Sequence, residues 1–243
     1  MVMIAAENLT KRFDNGVLAL DAINFNVKKG EVYCLLGANG AGKTTVIDLF
    51  LDFIKPTSGR ALIAGIEVAE KPLEAKKYVS YGSEDAMLYG NFTARQNLEF
   101  FAKLGGKRRL TKDDYYAVLR EVGLQENAFE KKERFFSKGM RQKVSIAIAM
   151  IRDTPAILLD EPTSGLDPKA SEELMETLDQ LRRQGKAILV STHDIFRVRE
   201  IADRIGIIKD GRKVLERTRE ELEHEDLQAL YLDYLRDVYR KGR

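Results

Sequence analysis

The sequence predicts an α/β fold, a core of alternating strands and helices with a helical block inserted into it. Three observations carry that expectation. Short apolar runs alternate with helical signals over about the first hundred residues. From about residue 93 to 152 the pattern becomes helical throughout. Strand–helix alternation then resumes at Ala156, which marks the block as an insertion.

Each element has its own signal. Ile4 to Leu9 and Ile23-Asn-Phe-Asn-Val27 read as strands, the second alternating with period two. Asn15-Gly16 between them is a hairpin-type turn signal. Val32-Tyr-Cys-Leu-Leu36 reads as a buried strand, and Val46-Ile-Asp-Leu-Phe-Leu51 as the opening of a helix. Ala61 to Ile63 and Tyr78 to Tyr81 are further short strands around a turn at Pro56-Thr-Ser-Gly59. Thr93 is placed to cap a helix carrying Leu98, Phe101 and Ala102, and Thr111 to cap one from about Lys112 to Val122. A third helix, about Gly139 to Arg152, carries Val144, Ile148 and Ile151. Ala156 to Leu159, Ala187 to Val190 and Ile205 to Ile208 are strands, with a helix at Lys169 to Arg183. We expect one domain over residues 1–220, the helical block inserted at about 85–155, and a helical tail over 221–243. In that tail Leu227, Leu230, Tyr231, Tyr234, Leu235 and Val238 form one apolar face, suited to the chain's own core or to a partner subunit.

Composition narrows the class. The 243 residues are 44% apolar and 32% charged, ordinary for a globular chain. A net charge of +2 supplies no global pull toward nucleic acid or anionic membrane, so no direct nucleic-acid partner is expected. No apolar run reaches the roughly 18 residues of a membrane span. The start, Met1-Val-Met-Ile-Ala-Ala-Glu7, lacks the charged region and long apolar core of a signal peptide. The single cysteine, Cys34, excludes a disulfide within the chain and reads as a packed thiol. A cytoplasmic location is the expectation.

The chemistry begins between the strand ending at Leu36 and the helix opening at Val46. Gly37, Ala38, Asn39, Gly40, Ala41, Gly42, Lys43, Thr44 and Thr45 fit G-x-x-x-x-G-K-[ST], the phosphate-binding loop. Glycines let the backbone wrap an anion, and the loop and helix-start N–H groups point at it. Lys43 is then placed for the β and γ phosphates of ATP, and the Thr44 hydroxyl for Mg²⁺. The strand at Ala156 ends in Asp160 and Glu161. Carboxylates at such a strand edge face the ligand crevice, so Asp160 suits Mg²⁺ and Glu161 suits activation of water. His193, in Ser191-Thr-His-Asp194, follows a third strand edge. Lone histidines are more often structural, but that position favours a γ-phosphate contact. The other histidine, His224, reads as exposed.

In this order, from about residue 2 to 220, the motifs resemble the ATP-binding subunit of ABC transporters. Phe136-Ser137-Lys138-Gly139-Met140 resembles that family's signature, Leu-Ser-Gly-Gly-Gln; Ser137 and Gly139 match, and Phe136, Lys138 and Met140 depart. Asp160-Glu-Pro-Thr-Ser-Gly-Leu-Asp167-Pro168 matches its Walker B and D-loop. The resemblance implies a RecA-like P-loop NTPase core with an antiparallel β subdomain and an inserted helical subdomain. It also implies Glu161 as catalytic base, Asp167 coupling two sites, His193 as switch histidine, and Ser137 with Gly139 holding the γ-phosphate of ATP on another subunit. Phe13 falls where the family stacks an aromatic on adenine, with a core aromatic after the first strand as the lesser alternative. The family's Q-loop glutamine aligns with Glu84, a carboxylate suited to Mg²⁺, while Gln96 lies inside the next helix.

What the resemblance implies for function is an ATP-hydrolysing motor that closes head to tail with a second cassette, identical or homologous, around two ATP. A separate transmembrane permease would be driven by it, touched mainly by Glu84 to Phe92, with the chain peripheral on the cytoplasmic face. The short segment after His193 and the divergent signature look most like cassettes of ABC-2 type exporters. Two other readings stand beside it, a soluble ATPase of this type acting on nucleic acid or ribosomes and a regulatory cassette without turnover. One cassette, no heptad insertion and no cysteine pairs weigh against the first; Glu161 and His193 weigh against the second.

Overall fold

The computed structural model describes residues 1–85, 87–224 and 229. Strands β1 (Val2–Arg12) and β2 (Leu18–Lys28) form an antiparallel hairpin around the expected turn. There Gly16 adopts φ 87°, and the Asn15 side chain accepts a hydrogen bond from the Val17 N–H at 3.1 Å. β3 (Val32–Leu36) is buried at every residue. α1 (Lys43–Phe50) starts at Lys43 rather than Val46, because Gly42, at φ 110°, turns the loop directly into the helix.

β4 (Ser58–Ile63) and β5 (Ile66–Glu67) complete a four-stranded antiparallel sheet in the order β2-β1-β4-β5. Gly59 belongs to β4 and not to a turn, opposite a register shift in β1. Its φ is 75°, and a Cβ there would stand 2.1 Å from the Asn8 carbonyl oxygen. Only glycine permits that strand contact.

α2 (Pro72–Ala75) and β6 (Val79–Gly82) lead to the helical block. α3 (Ala94–Leu104) and α4 (Lys112–Glu121) both start in full capping boxes, Thr93 with Gln96 and Thr111 with Asp114. α5 (Lys138–Arg152) closes the block. β7 (Ala156–Asp160), α6 (Pro168–Arg183), β8 (Ala187–Thr192), α7 (Ile195–Ile201), β9 (Arg204–Lys209), β10 (Arg212–Thr218) and α8 (Arg219–His224) follow. The stripe expected from Leu227 to Val238 lies outside the described residues, as does the side chain of His224. Among the described residues no helix is long and apolar enough to cross a membrane.

The second sheet has the order β10-β9-β3-β8-β7-β6. Its pairs from β9 to β6 are parallel, and only β10 runs antiparallel. Its central strands β3, β8 and β7 are buried at every residue and read as largely apolar runs because both faces are covered. Alternate residues of β3 divide between two cores. Val32, Cys34 and Leu36 pack toward the helical block with Leu98, Leu119 and Val144. Tyr33 and Leu35 pack toward α1 and the antiparallel sheet, with Ile47, Phe50, Ile4 and Phe25.

Registers Leu36↔Thr192 and Asp160↔Ser191 bring the ends of β3, β7 and β8 to one edge. The phosphate loop, Asp160-Glu161 and His193 therefore gather where a parallel sheet binds its ligands.

Candidate nucleotide-binding site

The loop wraps inward around the Lys43 side chain. Lys43 is 5% exposed, and its Nζ donates to the carbonyls of Gly37 at 2.8 Å and Ala38 at 3.2 Å. The same ammonium lies 3.1 Å from Glu161 Oε1, a charge contact without hydrogen-bond alignment. A buried ammonium needs such partners, and they fix where the charge sits. Ala41 is buried beneath the loop. Asn39, Gly40, Gly42, Thr44 and Thr45 line a cleft of about 550 Å³ beside it. Gly40, at φ 81°, has nothing within 4 Å of where a Cβ would be, so its backbone is open on that side.

Glu161 sits directly after β7 with φ 47°, a left-handed conformation that non-glycine residues rarely hold. Its N–H donates to the Ser191 carbonyl at 3.0 Å. That turn brings the carboxylate back between two groups. Oε1 faces Lys43, and Oε2 lies 2.9 Å from His193 Nδ1 and accepts from the His193 N–H at 3.3 Å. His193 is half exposed and bonded to a cleft carboxylate, so it is not a core histidine.

Asp160 is buried at the β7 end, where the Ser191 hydroxyl donates to its Oδ1. Its negative field is felt nearby. Burial first, then Asp160, pushes the Tyr81 phenol up to about 12. Burial followed by Asp160 also raises the Asp48 carboxyl. Glu84 lines the cleft with Thr44 and Glu161, its Oε1 accepting from the Ser164 hydroxyl at 2.7 Å. Among the described residues no three His, Cys, Asp or Glu side chains gather as a metal cage. The donors here are the Thr44 hydroxyl and the Asp160 and Glu84 carboxylates, all hard oxygens. That set fits a Mg²⁺ held by few protein ligands together with substrate phosphates.

Ser137, Gly139 and Asp167 gather elsewhere. Ser137 caps α5, its Oγ accepting from the Met140 N–H at 3.2 Å. Asp167 caps α6, accepting from the Ala170 N–H at 2.9 Å. A Cβ on Gly139 would stand 3.3 Å from the Cβ of Ala170, so glycine lets the two helix starts approach. With Lys143 and Lys169 they line a second cleft of about 280 Å³. The two clefts share no lining residue. Phe13 lies in the β1–β2 turn, 36% exposed, with the Lys11 ammonium 5.2 Å from its ring centre. The reading as a core aromatic is therefore corrected, because the hairpin tip has no layer above it.

Sequence reasoning passed over Ser191, Ser164, Lys138 and the residues Leu18, Ala19, Asp210 and Gly211 that also line the first cleft. Ser191 stood in plain view beside His193, and Asp210-Gly211 is a turn signal between β9 and β10. Nothing local to Leu18 or Ala19 points at a nucleotide, since the hairpin register brings them there.

Comparison with known proteins bears on this geometry. A family model described as ABC transporter matches residues 20–164. NatA of Bacillus subtilis, an ABC transporter ATP-binding protein, is 35% identical over 243 residues, covering 96% of this chain and 98% of its own. The linearmycin resistance ATP-binding protein LnrL of the same organism is 33% identical over 226 residues, 90% of this chain and 70% of its own. YbhF of Escherichia coli, a probable multidrug ABC transporter ATP-binding protein, is 34% identical over 90% of this chain, which spans only 38% of that protein. Among solved structures, an ATP binding subunit of an ABC transporter superposes with TM-score 0.84 at 29% identity, covering 95% of this chain and 98% of that one. The dimeric bacterial ABC transporter cassette MJ0796 gives TM-score 0.80 at 31% identity, covering 89% and 99%. MJ0796 has also been solved in a dimeric post-hydrolysis state bound to ADP and Pi.

Proposed function

Because the chain belongs to the ABC transporter family as an ATP-binding cassette, we propose that it is an ATP-hydrolysing motor subunit that closes head to tail with a second cassette around two ATP. The fold is that of the P-loop cassettes, an α/β core with an antiparallel sheet and inserted helices. The observation that carries the motor reading is the division of the site. The phosphate loop and Glu161 line one cleft, while Ser137, Gly139 and Asp167 line another that shares nothing with it. Apposing two copies about a twofold axis sets each cleft against the other's complement.

Within one cleft the roles follow from position. Lys43 leaves two neutral carbonyls for triphosphate oxygens of higher charge. Glu161, already paired with His193, orients and deprotonates the attacking water, and His193 holds the γ-phosphate side. Mg²⁺, when bound between Thr44, Asp160 and Glu84, neutralises charge on the phosphates. Phe13, exposed at the hairpin tip, offers a π face to adenine. ATP favours closure because it touches both subunits only in the closed dimer, and hydrolysis removes that preference.

The driven partner is a separate transmembrane permease meeting the segment from Glu84 to Phe92, which places the chain on the cytoplasmic face of the membrane. Relatives named for multidrug transport, linearmycin resistance, Nod factor export and lantibiotic transport support an exporter. The deciding experiment is Glu161→Gln. It should bind ATP normally, hydrolyse it at least about 100-fold more slowly, and elute as a dimer when ATP is present. Unchanged turnover would refute the assignment of the base.

A further inference from the structure

The segment Glu161–Asp167 ties the water-side carboxylate of one cleft to the helix cap that lines the other. Its internal bonds are two short turns, Ser164 N–H to Glu161 O at 3.0 Å and Leu166 N–H to Thr163 O at 3.1 Å. Two side chains from outside hold it. On one side the Ser164 hydroxyl donates to Glu84 Oε1 at 2.7 Å. On the other, the Lys138 side chain lies over Gly165, which has φ 67°. A Cβ there would stand 3.1 Å from Lys138 Nζ and 3.3 Å from its Cδ.

Glu84 and Lys138 also line a common cleft of about 260 Å³ with Asp85, Glu133, Arg141 and Gln142. Its charges are unevenly satisfied. Arg141 is taken by Glu133 at 2.5 Å. Gln142 is 3% exposed and its Nε2 has no acceptor. Lys138, half-buried and with no hydrogen bond or ion pair among the described residues, shares this lining with the exposed carboxylates of Glu84 and Asp85. Opposite charges on one cleft attract without direct contact, weakly where the carboxylates are exposed to water.

We propose that Glu84 and Lys138 are a matched pair of positioning residues that clamps Glu161–Asp167 from both sides. The pair keeps Glu161 aimed into the phosphate cleft while Asp167 stays at the start of α6. The two side chains carry opposite charges, so each is the other's complement. The consequence for turnover rests on the motor reading above; the clamp itself does not.

A charge cycle tests it, with Glu84→Gln, Lys138→Gln and the double variant. Glutamine at 84 still accepts from Ser164, so that variant removes charge alone. Each single variant should lower kcat about fivefold with KM for ATP within about twofold, and the double should fall no further than either single. Hydrogen exchange of the 161–167 peptide should quicken about threefold in each single variant and not again in the double. That readout needs no turnover, so a chain without ATPase activity would sink the motor reading and still decide the clamp. Lys138→Gln behaving as wild type in both measurements overturns the clamp, and so do single effects that simply multiply. A Glu84→Gln effect confined to Mg²⁺ dependence, with Lys138→Gln silent, assigns Glu84 to the metal alone and overturns it as well. Lys138→Met replaces Lys138→Gln if the latter melts early.

Discussion

At the scale of single residues, the site is organised by side chains that would be costly to bury alone. Lys43 and Glu161 are 5% and 11% exposed at their side chains, and each is stable there because the other is present. Removing the cation therefore does two things. Lys43→Ala should weaken ATP binding about 10- to 100-fold, read by titration with a fluorescent nucleotide, since hydrogen bonds to charged groups carry about 1.5–3 kcal/mol. It should also leave Glu161 with His193 as its remaining side-chain partner. His193→Ala keeps Lys43 in place, so it should bind nucleotide normally and lose turnover by about 100-fold in a steady-state assay. Cys34 behaves oppositely. Burial, followed by the charge of Asp203, pushes its thiol up to about 12. It should therefore react with a thiol reagent only as fast as the chain unfolds, which mass spectrometry follows directly.

At the scale of elements, local chemistry and packing divide the work. Each capping box follows from two side chains three residues apart at its helix start, which is why Thr93 and Thr111 were legible without the fold. β10 was not legible. Arg212–Thr218 has only two apolar residues, Val214 and Leu215, between charged ones, and it becomes a strand by pairing with β9. Its inward carboxylate, Glu216, accepts from Arg204 at 2.5 Å and from the Tyr33 hydroxyl at 3.0 Å, with Lys213 also bonded. Burial alone would raise Glu216, but the hydrogen bonds from Lys213 and Arg204 outweigh it and hold the carboxyl below its ordinary 4.5. A carboxyl depressed in the folded state stabilises above its ordinary range and loses that contribution as the pH falls through the folded value. Glu216→Gln should accordingly lower the melting temperature at neutral pH, and the gap from wild type should shrink at acid pH below 4.5. A gap that widens on acidification would contradict this network.

The whole molecule sets two separate clefts on one chain. Each chain of a head-to-tail dimer would give its phosphate loop to one site and its Ser137 to the other. Mixing Lys43→Ala chains with Ser137→Arg chains should therefore restore activity that neither has alone. Half the dimers would be mixed and each would own one intact site, so turnover should reach roughly a quarter of wild type. Recovery absent at concentrations that support dimers would argue for a site complete within one chain.

Much of this was determined by sequence alone. The phosphate loop, the Asp160-Glu161 pair and the strand ends flanking them depend on residue type and short spacing, and such signals survive without a fold. Tertiary structure decided the rest, because it depends on residues far apart in the chain. Registers between β3, β7 and β8 put Lys43, Glu161 and His193 within bonding reach across some 150 residues of sequence. The hairpin exposed Phe13 rather than burying it. Packing of α5 against the loop after β7 brought Lys138 over Gly165 and placed Glu84 on Ser164 from the other side. Local physics names the chemical groups; only long-range packing sets their distances, and those distances place the groups in two separate clefts rather than one continuous pocket.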